Sequence, residues 1–110
     1  MRDIKLCCLI GMFLVAMISS CGSGAANEPR THVVEIKQMS FEPSTLTVAA
    51  GDTVKWINRD LVAHNVKSRN WKSPDLERGE HFSIRVSGKA EYRCTLHPVM
   101  EGKIVIESRN

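Results

Sequence analysis

The chain has 110 residues, 43% of them hydrophobic, 25% charged and 5% aromatic, and its 15 basic and 12 acidic side chains give a formal charge of +3. That length holds one small domain and excludes a two-domain enzyme, while the composition excludes wholesale disorder and a fibrous repeat. The charges are scattered with no run of five like signs, which argues against nucleic acid as a partner.

At the start of the chain, Arg2 and Lys5 precede an apolar run of 13 residues, Leu6 to Ile18, and Ser19 and Ser20 follow before Cys21. A charged head, a short apolar core and small residues describe an export signal. The run is too short to span a bilayer, which takes about 17–25 residues. Ile18-Ser19-Ser20-Cys21 also resembles a bacterial lipobox, in which the Cys is lipidated and becomes the mature N-terminus; an ordinary signal with a chance Cys nearby is the alternative. The expected organisation is a lipoprotein signal peptide over 1–20, a flexible tether over 21–30 and one domain over 31–110. The small polar tether (GSGAANEPR) reaches about 15–18 Å if flexible, and two or more acyl chains on Cys21 would anchor the protein stably to a membrane.

Without residues 1–20, 90 residues remain with 13 basic and 11 acidic side chains. A folded part of about 80 residues is marginal for a core without help, so a bound metal is worth looking for. Of the four Cys, Cys7 and Cys8 lie in the signal and Cys21 is read as acylated. Cys94 is left without a disulfide partner, so it is buried, paired between molecules, or bound to metal.

The rest of the chain alternates with a period of two. Val34 and Ile36, Leu46 and Val48, Val54 and Trp56, then Phe82-Ile84-Val86, Ala90-Tyr92-Cys94 and Ile104-Ile106 each face one way between polar neighbours. Turn signals separate them at Glu42-Pro43, Gly51-Asp52, Asn58-Arg59-Asp60, Ser73-Pro74-Asp75, Ser87-Gly88 and Pro98. No stretch between 30 and 108 keeps a helical period for three turns. The expected fold class is all-β, an antiparallel sandwich or barrel of six or seven short strands, with one loop over about 66–79 carrying a helical turn around Leu76.

The chemistry lies in Cys94-Thr95-Leu96-His97-Pro98-Val99-Met100, which spaces a thiolate, an imidazole and a thioether three residues apart. A short turn at a strand end can fold all three around one point. Such a soft set suits copper; structural zinc takes Cys and His but rarely Met, and calcium or magnesium wants oxygen donors that the loop lacks before Glu101. His64, in Val62-Ala63-His64-Asn65-Val66, is the best fourth donor. The set His64, Cys94, His97 and Met100 is a trigonal His₂Cys site with a long axial Met, the blue-copper arrangement. The bland alternative makes Cys94 and Met100 core residues and His97 a turn residue.

These segments resemble the cupredoxin family, and within it the amicyanin- and plastocyanin-like members. Gly51-Asp52-Thr53-Val54-Lys55-Trp56-Ile57-Asn58 is similar to the family's G-D-T-V-x-W-x-N strand, and His64-Asn65-Val66 to its first ligand segment. Gly79-Glu80, Phe82, Gly88 and Tyr92-Arg93-Cys94 are similar to the run into the copper loop, and Gly102-Lys103-Ile104-Val105-Ile106 to the closing strand. The resemblance covers about residues 33–107, and the two-residue gap between His97 and Met100 is amicyanin-like. It departs at Ala63 and Leu96, where amicyanins carry proline.

The resemblance implies a Greek-key β-sandwich of about seven to eight strands and one type 1 copper ion; no enzymatic activity is expected, because protein would fill all four metal positions and leave none for a substrate. It implies that His64, Cys94 and His97 lie in the copper plane with Met100 axial. Asn65 then supplies a backbone N–H to the Cys94 sulfur and its side chain pins Thr95. Pro98 has no N–H to give a second bond to sulfur, which leaves more charge there and lowers the potential. It also implies an apolar patch of Leu96, Pro98 and Val99 around His97, a small interface for brief encounters.

The expected protein is an exported, periplasmic, lipid-anchored monomer that carries one electron between redox proteins, such as a c-type cytochrome, an oxidase or a quinoprotein dehydrogenase. A copper chaperone, buffer or resistance protein is the alternative, although exposed Met- and His-rich stretches are missing. The remaining conspicuous residues read plainly. His32 and His81 are expected at the surface, Trp56 in the core, Met39 packed rather than on copper, and Trp71 as a loop plug with a partner-facing ring as the alternative; Lys67, Arg69 and Lys72 form a basic cluster read as a solvated loop, with steering of an acidic partner as the alternative.

Overall fold

The computed structural model describes residues 28–109. The expected signal peptide, Cys21 and most of the tether lie outside the described residues. Seven strands follow in chain order: β1 (Thr31–Lys37), β2 (Ser40–Glu42), β3 (Thr45–Val48), β4 (Thr53–Asn58), β5 (His81–Arg85), β6 (Ala90–Arg93) and β7 (Glu101–Ile106). They form two sheets, one ordered β2-β1-β4-β5 and the other β3-β7-β6.

The chain changes sheet between β2 and β3, between β3 and β4, and again between β5 and β6. This crossed wiring is the kind expected of a Greek-key sandwich and closes one core between the layers. Period-two alternation produces that core directly. In β4, Val54, Trp56 and Asn58 are buried while Thr53, Lys55 and Ile57 are only half so. In β1, Val34 and Ile36 are buried on the same principle. Trp56 holds the centre, with Tyr92 edge-on at 5.2 Å, Trp71 at 5.3 Å and Phe82 at 6.1 Å. Such ring pairs add to the area that aromatic side chains bury. Trp71 is thus the loop plug that the sequence suggests.

Four expectations need correction. The strands are not all antiparallel: β1 pairs parallel with β4, Val34 beside Trp56, and β3 pairs parallel with β7, Leu46 beside Ile104. Alternation reports which face is buried and is blind to strand direction. No helical turn forms at Leu76, whose N–H and C=O instead bond to the carbonyl and N–H of His64, at 2.7 and 3.1 Å. Met39 does not pack; it is 41% exposed and, like Gln38, adopts a left-handed backbone (φ 61° and 53°) in the β1–β2 turn. A tight two-residue reversal demands that conformation, which turns both side chains to solvent. His32 is likewise more enclosed than expected, half-buried against Asp52.

At one end of the sandwich, buried Asp52 ties Arg30 and His32 at the start of the described residues to Arg109 at their end. It accepts bonds from Arg30 N–H (3.0 Å), His32 Nε2 (2.8 Å), Ala49 N–H (3.1 Å) and Arg109 Nη2 (2.6 Å). The Arg109 guanidinium foremost, helped by the other donors, holds this carboxyl far below the usual carboxylate range.

Candidate metal centre

Two segments meet beyond the ends of the core strands. The first leaves β4 through Asn58, whose buried side-chain amide donates to Val62 O (2.9 Å) and Leu76 O (2.8 Å). That amide fixes the path of residues 59–63 and delivers His64 to its bridge with Leu76. The second leaves β6 at Arg93, turns through residues 94–100 and re-enters the sheet as β7. Two backbone bonds close that turn: Cys94 N–H to Met100 O (3.2 Å) and Met100 N–H to His97 O (2.9 Å).

The geometry brings His64, Cys94 and His97 together. Cys94 Sγ lies 3.8 Å from His64 Nδ1 and 3.8 Å from His97 Nδ1, and the three donor atoms all lie within 4.8 Å of one another. Cys94 and His64 are 0% exposed and Met100 1%, whereas His97 is half-buried and reaches the surface. The imidazole rings meet edge to face at 4.8 Å. A first-row ion bonded to nitrogen at about 2.0 Å and to sulfur at about 2.3 Å in one plane separates those two atoms by roughly 3.7 Å, so the sulfur–nitrogen spacings suit a shared cation. Thiolate, two imidazoles and a buried thioether are the donors that soft copper selects, and no carboxylate competes among them. The residues present therefore fit one copper ion of the type 1 kind.

Hydrogen bonds hold this cluster from behind. Asn65 N–H points at Cys94 Sγ at 3.4 Å. Its side chain donates from Nδ2 to Thr95 Oγ1 (2.8 Å) and accepts the Thr95 N–H on Oδ1 (2.8 Å), so Asn65 and Thr95 lock the two segments together. Leu96 is 45% exposed and Val99 85%, with Pro98 exposed between them, so the loop's apolar side chains face outward around the His97 ring.

Sequence reasoning missed Asp60. Its Oδ2 sits 2.8 Å from His64 Nε2, so the ring donates there and keeps its Nδ1 lone pair for the cluster. The same carboxylate accepts the N–H groups of Gln38 (2.7 Å) and Met39 (3.1 Å), joining the β1–β2 turn to the ligand segment. Burial opposes its charge, but the bonds from Met39, His64 and Gln38 prevail and its pKa lies below the ordinary value. An Asp four residues before a candidate ligand His was the available signal; it reads as a turn residue until the fold shows where it points. Asp75, which accepts from Asn65 Nδ2 at 3.0 Å, and Ser73 Oγ, which accepts the Val66 N–H at 2.8 Å, were also missed. So were Leu61 and Val62, 79% and 49% exposed beside the His64 segment.

Comparisons with known proteins point the same way. The family model for the cupredoxin-like domain matches residues 9–106. Amicyanin from Paracoccus denitrificans is 38% identical over 84 residues, covering 68% of this chain and 64% of that protein. Amicyanin-alpha from Methylorubrum extorquens is 31% identical over 83 residues, covering 67% and 70% respectively. The chain thus spans about 64% of the length of the Paracoccus relative. A solved Cu(I) form of a mutant amicyanin superposes with a TM-score of 0.67 at 36% identity, covering 70% of this chain and 82% of that one. An oxidised mutant amicyanin superposes equally well, at 0.67 and 37% identity. With a family model matched over most of its length and the sandwich and donor cluster in place, the chain belongs to the family of cupredoxin-like domains.

Proposed function

We propose that this protein is a copper-dependent one-electron carrier, with His64 Nδ1, Cys94 Sγ and His97 Nδ1 as the strong donors and the Met100 thioether as a weak fourth. Bound copper would supply exchange between Cu(I) and Cu(II) at a single centre. The observation that carries the reading is the cluster itself: three donor atoms gathered within 4.8 Å, two of their residues fully buried, on segments fixed by protein hydrogen bonds. Asn65 and Thr95 keep the Cys94 loop in place, and Asp60 keeps His64 in one tautomer and orientation. A donor set that stays put asks little movement of the protein when its charge changes, which suits rapid transfer.

The half-buried His97 edge is the exit toward partners, ringed by Leu96, Pro98 and Val99 and extended by Leu61 and Val62. Exposed apolar side chains gathered near a redox centre suit a small, short-lived interface with another redox protein, such as a c-type cytochrome, an oxidase or a quinoprotein dehydrogenase. Cys21 acylation would hold this monomeric domain on a membrane outside the cytoplasm, with residues 22–30 as the tether. All four donor positions come from protein, leaving no open site for a substrate, so the role is carriage and not catalysis. Burial of His64, Cys94 and Met100 also favours retention over the ready release a chaperone needs.

Copper titration followed by redox titration tests the proposal. The expected result is one ion per chain and a reversible one-electron midpoint with fast self-exchange. Rapid loss of the ion to an apo acceptor, without reversible electron exchange, would overturn it in favour of copper handling.

A further inference from the structure

The nearly balanced charge of residues 28–109 hides a division between faces. β5 and β6 are the edge strands of their sheets, and the segment from Lys67 to Lys72, bridged to β6 at Arg93, lies over the gap between them, leaving a surface groove. Six cationic side chains line it, Lys67, Arg69, Arg85, Lys89, Arg93 and Lys103, against only Glu91 and Glu101. On the rest of residues 28–109, seven basic side chains are outnumbered by nine acidic ones. Among the described residues, none of the six cations joins an ion pair.

Cross-strand pairing accounts for only two of the six cations, Lys103 opposite Glu91 and Arg93 opposite Glu101. Lys67 bridges Arg93 through two backbone bonds of 2.8 and 2.9 Å, and it also bridges Lys72, so like charges stand opposite one another. Such pairs weaken a sheet. The placement matters for transfer. Arg93 directly precedes Cys94 and Lys67 follows His64 by three residues, so the two ligand-bearing segments meet in this face.

We infer that the groove docks an acidic redox protein, whose carboxylates sit among Lys67, Arg69 and Arg93 beside the Cys94 segment. This rests on the electron-carrier reading above. The loop residues Leu96–Val99 carry no acidic or basic side chain except His97, so the groove supplies the charge selectivity that the apolar rim lacks. Glu91 stands opposite Lys103 and Glu101 opposite Arg93 across β6 and β7. That interleaving suits a partner of mixed, mainly negative pattern, whereas a uniformly anionic lipid layer would set like charge against Glu91 and Glu101.

The test titrates ¹⁵N-labelled chain, copper-free and Cu(I)-loaded, with a succinylated and therefore acidic c-type cytochrome, using its unmodified basic form as control. Amide shifts over 67–69 and 91–93 are expected in both forms of the chain. Binding should weaken steeply with salt and fall about tenfold or more in a Lys67→Glu, Arg93→Glu double variant. Should that variant misfold by circular dichroism, Arg69→Glu with Lys103→Glu gives the same reading. Equal binding of both cytochromes, shifts confined to 96–99, or unchanged binding by a folded variant would overturn the inference. Capture by phosphatidylglycerol vesicles through Lys67 and Arg93, without cytochrome binding, would also overturn it in favour of a membrane. Docking at the groove with no electron exchange in the copper-loaded chain upholds the surface and overturns the electron-carrier reading instead.

Discussion

Asn65→Ala separates the support of the Cys94 loop from the chemistry of its sulfur. The substitution keeps the backbone N–H that points at Cys94 Sγ. It deletes two bonds with Thr95, each 2.8 Å, and one to Asp75 at 3.0 Å. Neutral bonds contribute about 0.5–1.5 kcal/mol each and a bond to a carboxylate about 1.5–3 kcal/mol. Water replaces much of the last, because Asp75 is exposed. Thr95 is half-buried and its N–H loses its acceptor, which adds to the cost. A net destabilisation of about 2–4 kcal/mol follows. For a domain of this size that lowers Tm by roughly 10–25 °C. Thermal unfolding of the copper-free chain by circular dichroism measures it. A fall in Tm below about 3 °C would show that the pin carries little load and would refute the reasoning.

Three further outcomes follow from the same contacts. Asp60→Ala removes the acceptor for His64 Nε2 and for two N–H groups of the left-handed turn; competition with a chelator should show copper affinity falling by about 10–100-fold. Gly102→Ala places a methyl where the Tyr92 ring already sits, and denaturant titration should show a loss of about 1–3 kcal/mol from overpacking. Asp52 has a folded pKa far below its unfolded one, so its contribution is fully present above about pH 4 and is lost as pH falls toward the folded value. Asp52→Asn should therefore be less stable at neutral pH, and its stability should decline less between about pH 4 and pH 2 than that of the parent.

The sequence carried much of this site because its information is local. Cys94, His97 and Met100 lie within one heptapeptide, and alternation alone puts Val54, Trp56 and Tyr92 inward. What escaped depends on contacts between distant segments. The direction of β1 against β4 is set by how the chain crosses between sheets, which no periodicity records. Leu76 looked free to begin a helical turn because its partner, the His64 backbone, lies twelve residues away in sequence. Asp60 looked like a turn residue because its role appears only when Gln38, Met39 and His64 converge on it. The charged groove was legible only in part: Lys67 and Arg69 stood out as a loop cluster, but Arg85, Lys89, Arg93 and Lys103 join them only in the fold.

The most direct measurement is the visible and EPR spectrum of the Cu(II)-loaded chain beside that of Cys94→Ser. Sulfur bonded to copper between two imidazoles predicts an intense blue or green band that the Ser variant loses while its far-ultraviolet circular dichroism is unchanged. A pale spectrum from a folded, stoichiometrically loaded parent, or an intense band that survives in Cys94→Ser, would contradict the account.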